Sequence, residues 1–111
     1  MQKIAIPLSG RKLSLRFAEC RQIKIYCVKN RKIVNEDLTS LPAYQPDLIS
    51  EWIIENGITD VIVAGIELKL LQTLNRNKVN VFVGVKVETP DNLVKEYIDG
   101  ILETHDNLLF H

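Results

Sequence analysis

The chain has 111 residues, 46% hydrophobic and 25% charged, which suits one globular domain over residues 1–111 with a single core. Fourteen basic and fourteen acidic residues cancel, so bulk electrostatic attraction to nucleic acid or to an anionic membrane is excluded. No apolar stretch approaches the roughly 20 residues that span a bilayer, and the amino terminus enters a strand pattern instead of a signal peptide, so the expected location is the cytoplasm.

Lys3-Ile4-Ala5-Ile6-Pro7-Leu8 is a short apolar run stopped by Pro7, Ser9 and Gly10, which predicts a central strand. Leu13-Ser14-Leu15 alternates as a second strand and gives way at Arg16-Phe17-Ala18-Glu19-Cys20-Arg21 to an irregular or briefly helical segment. Alternation resumes with Ile23, Ile25 and Cys27 on one face and Tyr26 and Val28 on the other. Asn30-Arg31 fits a two-residue hairpin turn, since asparagine tolerates the positive φ that such turns require. Ile33 to Leu38 then returns as a polar, edge-like strand in which Glu36-Asp37 forms a solvated face.

After a loop through Leu41 to Tyr44, Pro46 suits a first helical position. Leu48, Ile49, Trp52 and Ile53 recur at helical spacing, and Asn56-Gly57 supplies the stop. Val61-Ile62-Val63 is a β-branched run that suits a strand covered on both faces. It leads through the turn Ala64-Gly65-Ile66 directly into a helix carrying Leu68, Leu71 and Leu74 on one face. In open α/β sheets, such a carboxyl edge gathers free N–H groups and the positive end of a helix dipole, which places Gly65 near any small ligand. Val79, Val81, Val83 and Val85 alternate with Asn80, Phe82 and Gly84 as a last strand. Thr89-Pro90-Asp91 opens a final helix, whose buried stripe is Leu93, Val94, Tyr97, Ile98, Ile101 and Leu102. The tail from His105 to His111 has no clear period.

Short links between the first strands imply antiparallel neighbours, and helical links imply parallel pairing later. The expected fold is therefore α/β, a mixed five-stranded sheet with helices on its faces. The first strand carries none of the acids that a two-magnesium nuclease needs. There is also no nucleophile elbow, phosphate-cradling loop, His-Glu-X-X-His or Cys-X-X-Cys, so the chain reads as a binding protein and not an enzyme. Two cysteines are too few for a disulfide scaffold. Cys27 shares a face with Ile23 and Ile25 and is expected in the core, as are Trp52 and Tyr97. Cys20, among charged residues in an irregular segment, suits an accessible thiol and equally a small buried one. His105 is expected to be solvated.

Lys3-Ile4-Ala5-Ile6-Pro7, Phe17-Ala18-Glu19-Cys20 before Ile25-Tyr26, the turn Ala64-Gly65-Ile66, Gly84-Val85 and the terminal Asn107 to His111 stand in an order that resembles the dinitrogenase iron-molybdenum cofactor biosynthesis family. The resemblance implies a ribonuclease H-like three-layer fold. It also implies an accessory carrier that holds or hands on an iron-sulfur or molybdenum-iron-sulfur cluster during nitrogenase maturation, with metallocofactor assembly proteins as partners. It implies cofactor contacts at Arg16, Cys20, Gly65 and Ile66 and metal ligation by Cys20 and His111. The chain departs from the family pattern at Arg16, where members commonly carry histidine. It departs again at Ala64-Gly65-Ile66-Glu67, in place of Gly-Gly-X-Gly, and at Leu109-Phe110-His111, in place of Cys-X-His. Clusters normally take about four protein ligands, which Cys20 alone does not supply. A homodimer pairing two Cys20 thiolates, or a cluster bringing its own sulfides, would narrow the deficit. The alternative is a degenerate member without a cluster, acting as a protein-interaction or anion-sensing module.

Overall fold

A strand without polar alternation must be covered on both sides, and β1 (Gln2–Ser9) meets that requirement at the centre of the sheet. In the computed structural model, which describes residues 1–41, 46–105 and 109–110 (at 18, 46, 47, 109 and 110 the backbone only), β1 pairs antiparallel with β3 (Gln22–Lys29) and parallel with β5 (Asp60–Ile62). Beyond β3 lies β4 (Lys32–Ser40), and beyond β5 lies β7 (Asn80–Phe82), giving the order β4-β3-β1-β5-β7. This is an open mixed sheet, antiparallel on one side of β1 and parallel on the other. A sixth strand, β2 (Lys12–Leu13), folds back to pair Leu8 with Leu13, near the strand expected at Leu13–Leu15, so the sheet holds one strand more than the five expected for it. β2 is only two residues long: the Ser14 N–H still bonds to Pro7 O at 2.9 Å in the same register, but Pro7 has no N–H to return, and the Ser14 hydroxyl bonds forward to Arg16 O at 2.7 Å. The ladder stops there, before the expected Leu15, which is exposed.

The hairpin between β3 and β4 turns on Asn30 and Arg31, both with positive φ (52° and 63°), as the sequence predicts. A bulge follows, because Cys27 pairs with Asn35 but Val28 with Ile33. Cys27 is half-buried and lies outside the buried clusters, a correction to the core position expected for it.

Side-chain alternation divides the core. Ala5, Ile23, Ile25, Val61 and Val63 lie on one face with residues of α1 (Pro46–Glu55) and α2 (Leu68–Arg76). Ile4, Ile6, Tyr26, Val28, Ile62 and Ala64 lie on the other, with Leu93 and Val94 of α3 (Pro90–Asp99). Trp52 packs against the first cluster and Tyr97 against the second, edge-on to Phe82 with ring centroids 5.5 Å apart. The Tyr26 hydroxyl donates to Asp91 Oδ1 and ties α3 to β3. Asp60 is a buried acid that the sequence reading left unremarked. Thr59 Oγ1 donates to it at 2.6 Å and Asn80 Nδ2 at 3.1 Å, and the Tyr97 side chain also bonds to it. A buried carboxylate is tolerated only when its lone pairs are satisfied in this way.

Two expectations for the later elements change. The chain does not pass straight from β5 into α2, because Ile66–Glu67 first forms β6, parallel to β8 (Leu109–Phe110). The buried stripe of α3 ends before Ile101: Gly100 adopts φ 73° and the Ile101 N–H returns to Glu96 O at 3.0 Å, so Ile101 points away and is 64% exposed. Among the described residues no helix is long and apolar enough to cross a membrane.

The valine strand is also shorter than its pattern. Val79, Val81 and Val83 share the α1/α2 face, but Gly84 has φ 74° and Val85 moves to the α3 face. A Cβ on Gly84 would stand 2.0 Å from His105 O. Gly84→Ala therefore combines a left-handed backbone, costing about 1–2 kcal/mol, with a steric conflict. The expected result is a loss of more than about 2 kcal/mol of unfolding free energy in urea titrations.

Candidate functional site at the carboxyl edge of the parallel strands

β5 and β7 run parallel, and their carboxyl ends are laced together. The Gly84 N–H donates to Ala64 O and the Val85 N–H to Val63 O, each at 3.1 Å. The His105 N–H bonds to Val83 O at 2.8 Å and brings the segment after α3 across Gly84. On the other side of the turn, the Phe17 N–H donates to Gly65 O at 2.9 Å and anchors the short 3₁₀ turn Phe17–Glu19. This edge is thus already engaged in backbone pairing at several points, where the sequence suggested a row of free donors.

Beside the lacing lies a groove of about 660 Å³, within the size range of small-ligand sites. Its floor is Ala64, Gly84 and Val85, and its walls carry the apolar side chains Leu15, Val87 and Ile101. Glu103, His105 and the ion pair of Lys86 with Glu96 at 3.3 Å stand around it. A second groove of about 720 Å³ lies between the β3–β4 hairpin and the end of α3, lined by Lys29, Arg31, Phe82 and Tyr97 among others. The first groove is the candidate, because it opens at the carboxyl ends of parallel strands.

None of the predicted residues among those described lines this groove, although Gly65 follows Ala64 of its floor. Gly65 is buried at the turn, and its carbonyl holds the segment that carries Cys20, so the two are neighbours in the chain path. Ile66 is fully buried on the α1/α2 side, with its backbone paired to Leu109. Cys20 joins the same buried cluster at 8% exposure, and its N–H closes the 3₁₀ turn on Phe17 O at 3.1 Å. Burial pushes its thiol up to about 12, so it keeps its proton at neutral pH. This settles the two sequence readings of Cys20 in favour of the buried thiol. Arg16 is exposed and lies 3.7 Å from Glu19. Glu67 stands at the start of α2 with Oε2 buried and no hydrogen-bond partner among the described residues. His111 lies outside the described residues.

The groove faces the α3 side, whereas Cys20 packs on the α1/α2 side, and Cys20 does not line it. Sequence reasoning gave His105 no role, yet it is the one imidazole among the described residues that borders the groove. The available signal was Gly84, a glycine interrupting an otherwise regular valine alternation, which often marks a close backbone approach. Among the described residues no group of three or more His, Cys, Asp or Glu is arranged to hold a metal ion.

Fold and groove together define a small α/β domain with a ligand-sized recess at the carboxyl ends of its parallel strands. The chain belongs to the dinitrogenase iron-molybdenum cofactor family, whose model matches residues 1–100. Its structure is similar to that of PH0822, with TM-score 0.89, 19% identity and coverage of 96% of this chain and 97% of that one. It is similar to the MJ0327 protein of Methanocaldococcus jannaschii, with TM-score 0.77, 16% identity and coverage of 95% of each chain. The apo form of the orange protein of Desulfovibrio gigas gives TM-score 0.76 and 15% identity, covering 96% of this chain and 94% of that one. At these identities the likeness establishes a shared fold. No curated protein matches the chain.

The two thiols should react differently. Iodoacetamide at mildly alkaline pH is expected to modify half-buried Cys27 and to spare Cys20 until the chain unfolds, as peptide mass analysis would show. The folded pKa of Cys20 lies above the ordinary value of 9.0, so its contribution to stability is fully present below about pH 9 and is lost as pH rises towards 12. Unfolding titrations should show a steeper alkaline decline in the wild type than in Cys20→Ala.

Proposed function

We propose that the chain is a non-catalytic carrier that receives a preformed iron-sulfur or molybdenum-iron-sulfur cluster in the α3-side groove and passes it to a metallocofactor assembly protein. Family membership over residues 1–100 is the observation that carries this reading. The groove supports it with a ligand-sized recess whose floor is partly backbone, at Gly84. We further infer a ribonuclease H-like three-layer fold, because antiparallel β4-β3-β1 continues into parallel β5-β7 with helices on both faces. A cluster that arrives with its own sulfides needs few protein ligands, which suits the sparse donor set at the groove. His105 offers an imidazole nitrogen. Lys86 supplies a cation near an anionic cargo, though Glu96 already partners it. Cys20 serves the packing beneath the turn; metal binding there would require both loss of its proton and displacement of the Phe17–Glu19 segment.

Anaerobic incubation of the purified chain with iron and sulfide, and separately with thiomolybdate, followed by metal analysis and absorption spectra, tests the reading. Uptake is expected in the wild type and in Cys20→Ala, with a loss of about tenfold in affinity in His105→Ala, in the range seen for lost metal contacts. Uptake abolished by Cys20→Ala and unchanged in His105→Ala would move the site to the other face. No uptake by any form would refute the carrier role.

A further inference from the structure

The outer strand β4 is nine residues long and every position is exposed except half-buried Thr39. It is the terminal strand of the sheet, so its far side offers unpaired backbone groups to another strand. We infer that residues 36–40 pair antiparallel with the same segment of a second copy of this chain, around a two-fold axis at Leu38.

Hydrogen-bond direction and side-chain chemistry support that register. The Leu38 N–H donates to Asp37 Oδ1 at 2.9 Å, so this N–H lies on the solvent side of the strand. Backbone groups alternate in direction along a strand, hence Glu36, Leu38 and Ser40 present theirs outward, and an antiparallel partner must match outward residues with outward residues. An axis at Glu36 would set that carboxylate against itself, and an axis at Asp37 would do the same for Asp37; like charges directly opposed are destabilising. An axis at Leu38 puts Asp37 opposite Thr39 and Glu36 opposite Ser40, so each carboxylate meets a hydroxyl donor. It also sets Leu38, 50% exposed in one chain, against its own copy. Glu36 is already neutralised by Lys24 at 3.2 Å.

Most devices that discourage edge pairing lie in the other half of β4, and of the acids within residues 36–40 Glu36 is held by Lys24. The bulge beside Val28 and the Lys32 side chain guard the hairpin end, whereas residues 36–40 contain neither a bulge, a proline nor a lysine. The one local guard is the Asp37 carboxylate on the Leu38 N–H. Pairing exchanges that contact for the Thr39 hydroxyl of the second copy. An isologous contact of this kind closes at a dimer, and it is independent of the groove and of any cargo.

Light scattering coupled to size-exclusion chromatography, over a concentration series of metal-free protein, is expected to show a dimer that dissociates on dilution. Leu38→Pro removes the outward N–H and Leu38→Lys opposes two cations; both should shift the mass to monomer with the circular dichroism of the wild type. Leu48→Ser, at an exposed leucine of α1, should leave the dimer intact. In a Cys27→Ser background, Leu38→Cys should form an interchain disulfide under mild oxidation and Asn35→Cys should not. A wild type that stays monomeric throughout, or a dimer that persists in both folded Leu38 variants, would overturn the inference. Equal crosslinking at positions 35 and 38 would overturn the register.

Discussion

Pro7 sits inside the strand on which the whole sheet is built, and it has no N–H to give to a ladder. Its place is the point where the partner of β1 on one side changes. The pairing with β5 ends at Ala5 and Val61, and the pairing with β2 starts at Leu8 and Leu13. The Pro7 carbonyl still accepts the Ser14 N–H, but with no N–H to return the ladder ends, and the residues after β2 leave the sheet. The chain can then cross the carboxyl edge and hang the Phe17–Glu19 turn from Gly65. Two consequences follow from that diversion: the burial of Phe17 and Cys20 on the α1/α2 side, and the wall that Leu15 gives the groove.

The edge is held by backbone, and this shapes its chemistry. Lacing through Ala64, Gly84, Val83 and His105 uses main-chain donors that a bare helix terminus would have offered to an anion. What remains is a recess with apolar walls and a few side-chain heads, better suited to hold a body that carries its own inner ligands than to build a metal site from protein donors. Gly84 matters twice: its left-handed backbone redirects Val85 to the α3 face, and its missing side chain admits His105.

The hydrogen bonds that hold α3 lie away from that edge. Asp60, at the start of β5, gathers Thr59, Asn80 and Tyr97 and so joins two parallel strands to α3. Tyr26 and Asp91 tie β3 to the start of the same helix. Two polar links fix α3 over the sheet, and the groove between that helix and the strand ends takes its shape from their positions.

Most of the architecture was legible in local sequence. Continuous β-branched runs mark covered strands, Asn30-Arg31 marks the hairpin, and Thr89-Pro90-Asp91 marks a helix start, because each depends on nearest-neighbour sterics and hydrogen bonding. Family resemblance, too, was carried by residues in order along the chain. Tertiary structure alone decided which face each site residue joined. Cys20 and Ile66 turn to the α1/α2 side and Ala64 to the α3 side, although residues two apart in an extended chain share a face, because the turn at Gly65 breaks the alternation between Ala64 and Ile66. The short β6 next to β8 and the placing of His105 over Gly84 arise from contacts between residues far apart in sequence, which no local pattern encodes.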